Sequence, residues 1–316
     1  MKQSNSCDEL CAVIDVGSNT LRLLIGSVKD NKVIRIASSR YMTRLGKDIL
    51  KTSQLNNDNF QKSISFLIEF KHIYEGYGVR KVIAVGTSAL RESKNSVDFI
   101  KEVKRQVGIN IEIISGEREA DLTLNGIRLN LDIGPSGLTN FFMIDIGGGS
   151  TEWILFGEDI FKGSLPLGAV KAYGEFIKED PPGRVQIAQV KEFIYQIIYE
   201  SPLIGYFNKQ SCWQNTKFVS TGGTPTTLAA IDMGLAEYNG DKVNMHRIER
   251  PTLQKFIQRF ISMSLLERQK IIGLEPDRAD IIITGALILQ GFMEIFNFNE
   301  AIISDYGLLE GLLLEA

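Results

Sequence analysis

Two stretches about 130 positions apart carry nearly the same pattern: Val13-Ile-Asp-Val-Gly-Ser-Asn-Thr-Leu-Arg-Leu-Leu-Ile-Gly26 and Met143-Ile-Asp-Ile-Gly-Gly-Gly-Ser-Thr-Glu-Trp-Ile-Leu-Phe-Gly157. Each ends a short apolar run on an Asp, follows it with small residues that let backbone N–H groups turn outward, and then resumes an apolar run. Such a chain folds as a β-hairpin with room for an anion at its turn. Gly and Ser admit a phosphate to the main chain, and the Asp carboxylate can hold a cation beside it. Two copies predict two hairpins facing each other across a cleft and gripping a phosphate chain from both sides.

A chain of 316 residues is long enough for two domains, each with its own core. Its 44% hydrophobic content, with 23% charged residues and only 8 Pro, fits a globular protein and excludes a low-complexity one. No apolar run is long enough to cross a bilayer, and the segment from Lys2 to Glu9 lacks the apolar centre of a signal peptide. The expected compartment is the cytosol, with no membrane partner. A net charge of −3 argues against nucleic acid as a partner. Attraction for a polyanion must then come from a few placed arginines, backbone amides and metal ions. Cys7, Cys11 and Cys212 are too few for a disulfide framework, and with only His72 and His246 beside them a zinc site is not expected. All three read as reduced thiols.

Periodicity predicts strands over Ala12 to Gly26 and Val33 to Ser38, joined by the turn from Lys29 to Lys32. From Asn59, the positions Phe60, Ile64, Leu67 and Tyr74 mark an amphipathic helix. Lys81 to Gly86 reads as a buried strand, Ser96 opens a helix facing inward through Val97, Ile100, Val103 and Val107, and Asn110 to Ser115 is strand again. The second half repeats the theme. Asn140 to Asp145 and Glu152 to Phe156 form a hairpin, Phe161 to Leu165 adds a strand, and a helix carries Val190, Phe193, Ile194 and Ile197. Strand Lys217 to Ser220, a helix from Arg278 to Phe296, strand Glu300 to Ser304 and a last helix from Leu308 to Leu314 follow. The duplicated order predicts an α/β fold made by internal repetition. Domain I is expected over residues 1–119 and 305–316, and domain II over 120–304.

The first turn, Asp15 to Thr20, is by itself compatible with plain turn chemistry. Arg22 shifts the balance, because period-two alternation places it on the face of Thr20, where a cation would meet a bound phosphate. In the second turn, Gly147, Gly148 and Gly149 carry an entropic cost that a structural turn avoids, so ligand approach is the simplest reason for them. Gly222 and Gly223, between Thr221 and Thr224, make a third glycine-rich turn, and Pro225 fits the first turn of a helix whose N–H groups face the anion. Ser115 to Asp121 holds three carboxylates, two of which read as support for a helix N-terminus. Helical pitch puts Glu117 and Asp121 on one face and Glu119 on nearly the opposite one. Arg91 and Arg278 sit at the edges of predicted elements, where lone arginines are commonly solvated or ion-paired.

Together these stretches resemble the exopolyphosphatase and guanosine pentaphosphate phosphohydrolase family, within the superfamily of actin, sugar kinases and acetate kinase. The carriers are Asp15 to Leu24, Gly86-Thr-Ser-Ala-Leu-Arg91, Ser115-Gly-Glu-Arg-Glu-Ala120, Asp145 to Glu152, Thr221-Gly-Gly-Thr224, Arg278-Ala-Asp280 and Ser304 to Gly311. The resemblance runs from Ala12 to about Leu313. It implies two ribonuclease H-like (actin-like ATPase) domains flanking a cleft, and Mg²⁺, or Mn²⁺ in its place. The implied reaction removes terminal phosphate from inorganic polyphosphate or the 5′-terminal phosphate from guanosine pentaphosphate. Glu119 takes the place of the water-activating glutamate, Asp145 belongs to the metal site with Asp15 acting through water, and Arg22, Arg91 and Arg278 line the cleft. Amides of Gly17, Ser18 and Asn19, and of Gly147 to Ser150, would hold phosphate, with Gly222 and Gly223 completing the set. A homodimer is the assembly expected. Two departures stand out: the C-terminal helical domains of longer members are expected to be missing after Ala316, and Leu309 stands where many relatives have Arg. The rival readings are a polyphosphate- or ATP-dependent phosphotransferase, which the superfamily allows, and a non-catalytic sensor of guanosine tetra- or pentaphosphate.

Overall fold

The computed structural model describes residues 9–30, 32–129, 131, 140–209 and 216–316. Cys7, Asn31, Cys212 and the segment from Lys2 to Asp8 lie outside the described residues. The chain divides into two compact units, Met1–Asn130 with Leu308–Ala316, and Leu131–Gly307.

In unit 1 the strands are β1 (Cys11–Val16), β2 (Thr20–Lys29), β3 (Lys32–Met42), β4 (Lys81–Gly86) and β5 (Ile111–Ile113), in the sheet order β3-β2-β1-β4-β5. β1 runs antiparallel to β2 and parallel to β4, so the centre of the sheet is covered on both faces and reads as a nearly unbroken apolar run. The helices are α1 (Ile49–Thr52), α2 (Asn57–Gly76), α3 (Ser88–Glu92), α4 (Ser96–Gln106) and α5 (Gly116–Arg128). Ala12, Ile14 and Val16 face a cluster with Leu67 and Phe70 of α2 and Phe99 and Val103 of α4. The alternate residues Cys11 and Val13 face Leu122 of α5 and Leu308, Leu312 and Leu313 of the closing helix. Two-residue alternation therefore puts Asp15 on the face of β1 covered by α5. Cys11 is a free, buried thiol, and burial pushes its pKa up to about 11.

Unit 2 repeats this plan. Strands β6 (Phe141–Ile146), β7 (Thr151–Phe156), β8 (Ile160–Leu165), β9 (Lys217–Thr221), β10 (Arg247–Glu249) and β11 (Glu300–Ile303) take the order β10-β11-β9-β6-β7-β8. An antiparallel meander followed by parallel strands beside its first member is thus built twice, and each unit is an α/β layer with a ribonuclease H-like strand order. Helices α6 (Ala169–Phe176), α7 (Arg184–Glu200), α8 (Pro202–Lys209), α9 (Gly223–Asp232), α10 (Gly240–Val243), α11 (Arg250–Ser262), α12 (Leu265–Arg268) and α13 (Ile282–Ile295) complete it, and the closing helix Leu308–Leu314 is α14 of unit 1. Phe142 anchors the core among Phe207, Phe218, Phe292, Phe296 and Phe298. Among the described residues no helix is long and apolar enough to cross a membrane.

Several expectations are corrected. Val97 does not face inward: it is 56% exposed, because α4 starts at Ser96 and its buried side is set by Phe99 and Val103, four residues apart. The helix expected from Arg278 is split into a 3-10 turn, Pro276–Arg278, and α13, which starts at Ile282. The chain crosses between units after residue 130 and after residue 307, where the sequence suggests 119 and 304. A crossing at 119 would cut α5, whose packing against α14 holds the helix whole in unit 1. That packing is close: a Cβ on Gly311 of α14 would overlap the carbonyl of Leu122 in α5. Gly311→Ala is expected to cost about 1–3 kcal/mol of stability from overpacking, despite the better helix propensity of Ala, as a lowered urea midpoint with unchanged slope.

Candidate active site

The two anion loops have the same construction. Each connects residues paired across a hairpin, Val16 with Leu21 and Ile146 with Thr151. In each, the first glycine's N–H donates to the carbonyl three residues on, Gly17 to Thr20 at 3.1 Å and Gly147 to Ser150 at 3.0 Å. Ser18, Asn19 and Ser150 are all buried, and Asn19 Nδ2 has no hydrogen-bond partner.

Unit 1 brings together four of the expected residues as two carboxylate–guanidinium pairs. Asp15 lies directly across the hairpin from Arg22, whose Nε and Nη2 reach Asp15 Oδ2 at 2.8 and 2.7 Å. Arg22 is therefore bound to a carboxylate, where the sequence pattern suggests a cation awaiting phosphate alone. Asp15 Oδ1 is buried without a hydrogen-bond partner. The second pair joins α3 to α5. Arg91 Nη1 reaches Glu119 Oε2 at 2.7 Å and the carbonyl of Ile114 at 3.0 Å. Ser115 caps α5, accepting from the Arg118 N–H at 3.1 Å, which fixes the first turn and with it the direction of Glu119. Glu119 is 8% exposed, while Glu117, two residues away on the other face, is exposed.

In unit 2 the third glycine turn lies against the second hairpin. Gly222 has φ 98° and ψ 177°, a conformation open essentially to glycine, and a Cβ there would stand 2.6 Å from Asp145 Oδ1 and from the Ile146 carbonyl. A Cβ on Gly223 would overlap Nη1 of Arg278, whose Nε donates to Glu275 Oε2 at 2.7 Å. Asp145, Gly222, Gly223 and Arg278 thus converge, with Arg278 buried. α9 begins at Gly223, so Pro225 does fall in its first turn.

Glu152 escapes sequence reasoning. It stands directly opposite Asp145 in the hairpin register, on the same face, and is 1% exposed with Ser164 Oγ donating to its Oε1 at 2.7 Å. Counting outward from the turn would find it, since Arg22 holds the matching position opposite Asp15. The two hairpins consequently differ in charge: one faces Asp with Arg, the other Asp with Glu. Among the described residues no three His, Cys, Asp or Glu side chains lie close enough to enclose a metal ion. Two like charges across a hairpin repel, however, and such a donor set suits a divalent cation that keeps several waters and takes phosphate oxygens as its other ligands. Leu309 packs into the apolar cluster of Cys11, Val13 and Leu122.

Residues 24–316 match the model of the Ppx/GppA phosphatase family. The bifunctional 3-dehydroquinate synthase/phosphatase of Fusobacterium nucleatum is 29% identical over 318 residues, covering 97% of this chain and 46% of that relative, so the chain spans less than half its length. Exopolyphosphatase 1 of Mycobacterium tuberculosis is 28% identical over 306 residues, covering 96% of this chain and 86% of the relative. Of solved structures, the Aquifex aeolicus member of the Ppx/GppA family is 31% identical with a TM-score of 0.76, covering 97% of both chains. An exopolyphosphatase from Cytophaga hutchinsonii is 26% identical with a TM-score of 0.85, covering 97% of this chain and 98% of that one.

Proposed function

We propose that this chain, which belongs to the Ppx/GppA phosphatase family, is a phosphatase of the exopolyphosphatase type that releases terminal orthophosphate from inorganic polyphosphate. Relatives named exopolyphosphatase that align over nearly the whole chain support the coarse activity. The observation that carries the chemical reading is the Arg91–Glu119 pair. A buried carboxylate at the start of a capped helix has one oxygen fixed by a guanidinium, which holds the side chain in a single orientation.

Hydrolysis of a phosphoanhydride needs an in-line water, an acceptor for its proton and compensation for charge on the phosphoryl oxygens. Glu119 is the proposed general base: it takes the water's proton as the water oxygen bonds to the terminal phosphorus and the bridging P–O bond breaks, leaving that oxygen on the shortened chain. Arg91 keeps Glu119 in place. In unit 1 the amides of Gly17, Ser18 and Asn19 donate to phosphate oxygens and the Arg22 guanidinium offsets their charge; in unit 2 the amides of Gly147 to Ser150 and the Arg278 guanidinium serve in the same way. Asp145 and Glu152, opposite each other in the second hairpin, would hold Mg²⁺, or Mn²⁺ in its place. That ion supplies Lewis-acid compensation for phosphate charge.

Guanosine pentaphosphate presents the same terminal anhydride at its 5′ end and is the second substrate proposed. The test is phosphate release from long polyphosphate, short polyphosphate and guanosine pentaphosphate, side by side, with Mg²⁺ and with a chelator. Release from polyphosphate that the chelator stops is the expected result. Release from guanosine pentaphosphate alone would reassign the substrate, and binding without release from any of them would overturn the enzymatic reading.

A further inference from the structure

Both anion loops are braced from behind by one device, used once in each unit. In unit 1 the chain leaving β3 passes under the loop. The N–H groups of Thr43 and Arg44 donate to the Asn19 carbonyl at 3.0 and 2.9 Å, and that of Gly46 to the Ser18 carbonyl at 2.7 Å. In unit 2 the chain leaving β8 does the same with the start of α6. Ala169 N–H donates to the Gly147 carbonyl at 3.0 Å, and those of Val170 and Lys171 to the Gly148 carbonyl at 2.9 and 3.1 Å. Thr284 Oγ1 of α13 in turn donates to the Ala169 carbonyl at 2.7 Å, fixing the brace itself.

The carbonyl and the N–H of a trans peptide unit lie in one plane and point in opposite directions. Tying back the Ser18 carbonyl therefore turns the Asn19 N–H to the other side. Tying back those of Gly147 and Gly148 does the same for the N–H groups of Gly148 and Gly149. A released carbonyl could swing its partial negative charge toward the anion and remove a donor in the same motion.

In each brace a glycine touches the loop. A Cβ on Gly46 would stand 2.8 Å from Ser18 Cβ, and one on Gly168 would overlap the Gly148 carbonyl and the Gly149 nitrogen. Neither backbone demands glycine: Gly168 is extended at φ −137° and ψ 156°, and Gly46 is not among the glycines at positive φ. Closeness to the loop is what excludes a side chain.

We propose that Gly46 and Gly168 are positioning residues for phosphate binding, setting the loop amides toward the anion through the strand-exit segments that carry them. This rests on the reading that the loops bind phosphate. Three alanine variants test it: Gly46→Ala, Gly168→Ala and, as control, Gly174→Ala in the same helix α6, where an added Cβ meets nothing within 4 Å. Orthophosphate affinity by calorimetry, kcat and KM on polyphosphate, and thermal midpoints are measured for each. Gly168→Ala is expected to weaken orthophosphate binding and to lower kcat/KM, each about 10-fold or more, as losing hydrogen bonds to an anion should, while Gly174→Ala matches the wild type. A folded Gly168→Ala protein with wild-type orthophosphate affinity overturns the proposal, as does an equal loss in Gly174→Ala. If Gly168→Ala does not fold, the milder contact at Gly46 decides by the same affinity measurement. A wild type that binds orthophosphate but does not cleave polyphosphate refutes the proposed function and leaves this inference to the affinity series; a wild type that binds no orthophosphate sinks both.

Discussion

Replacing Glu119 with Gln is expected to lower phosphate release from polyphosphate by about 10²- to 10⁴-fold, the range for loss of a general base, while polyphosphate binding stays nearly intact. Gln keeps the shape of Glu and an oxygen that can accept from Arg91 Nη1, now 2.7 Å from Glu119 Oε2. What it loses is the capacity to take a proton from water. Binding should survive because the loop amides and the other arginines are untouched. Glu117→Gln is the control: Glu117 lies in the same helical turn but is exposed, and its change should leave turnover within about twofold, as a solvated surface substitution does. The measurement is kcat under saturating polyphosphate for both variants, with affinity read separately. Normal turnover by Glu119→Gln beside a collapse in Glu117→Gln would move the base to the other carboxylate and remove the Arg91 pair from the mechanism.

Much of this arrangement is legible in the sequence because it is local. A hairpin's alternation is fixed by its pleat, so counting residues from the turn is enough to put Asp15 and Arg22 on one face. Helical pitch likewise separates Glu119 from Glu117. The β4 and α14 boundaries also follow from simple apolar runs. Long-range choices are not legible. Arg91 finds Glu119 across 28 residues, and nothing at either position names the other. Arg278 packs on Gly223 from a 3-10 turn that Pro276 opens, where the apolar pattern alone favours an unbroken helix. The braces at Gly46 and Gly168 use backbone N–H groups, which every residue but proline carries, so composition and motif are silent about them. α5 stays with unit 1 because α14, almost two hundred positions later, covers its apolar face.

Gly222→Ala is expected to lower stability and activity together, more than any other single-methyl change among the glycine turns. Two costs coincide there. The backbone at φ 98° and ψ 177° lies in a region that L side chains avoid, which costs about 1–3 kcal/mol if the native conformation is kept. The new Cβ would also stand 2.6 Å from Asp145 Oδ1 and from the Ile146 carbonyl, so either the third glycine turn or the carboxylate must move. Strain relief by moving the carboxylate separates Asp145 from Glu152, its partner across the hairpin, and disrupts the pair proposed to hold the divalent cation. The variant should therefore need more Mg²⁺ for half-maximal phosphate release, in addition to unfolding at lower urea concentration. Stability loss with an unchanged Mg²⁺ requirement would mean that the turn gives way and Asp145 stays in place, leaving Gly222 a purely structural glycine. An unchanged urea midpoint would contradict the backbone argument itself, since no side chain can take that conformation without cost.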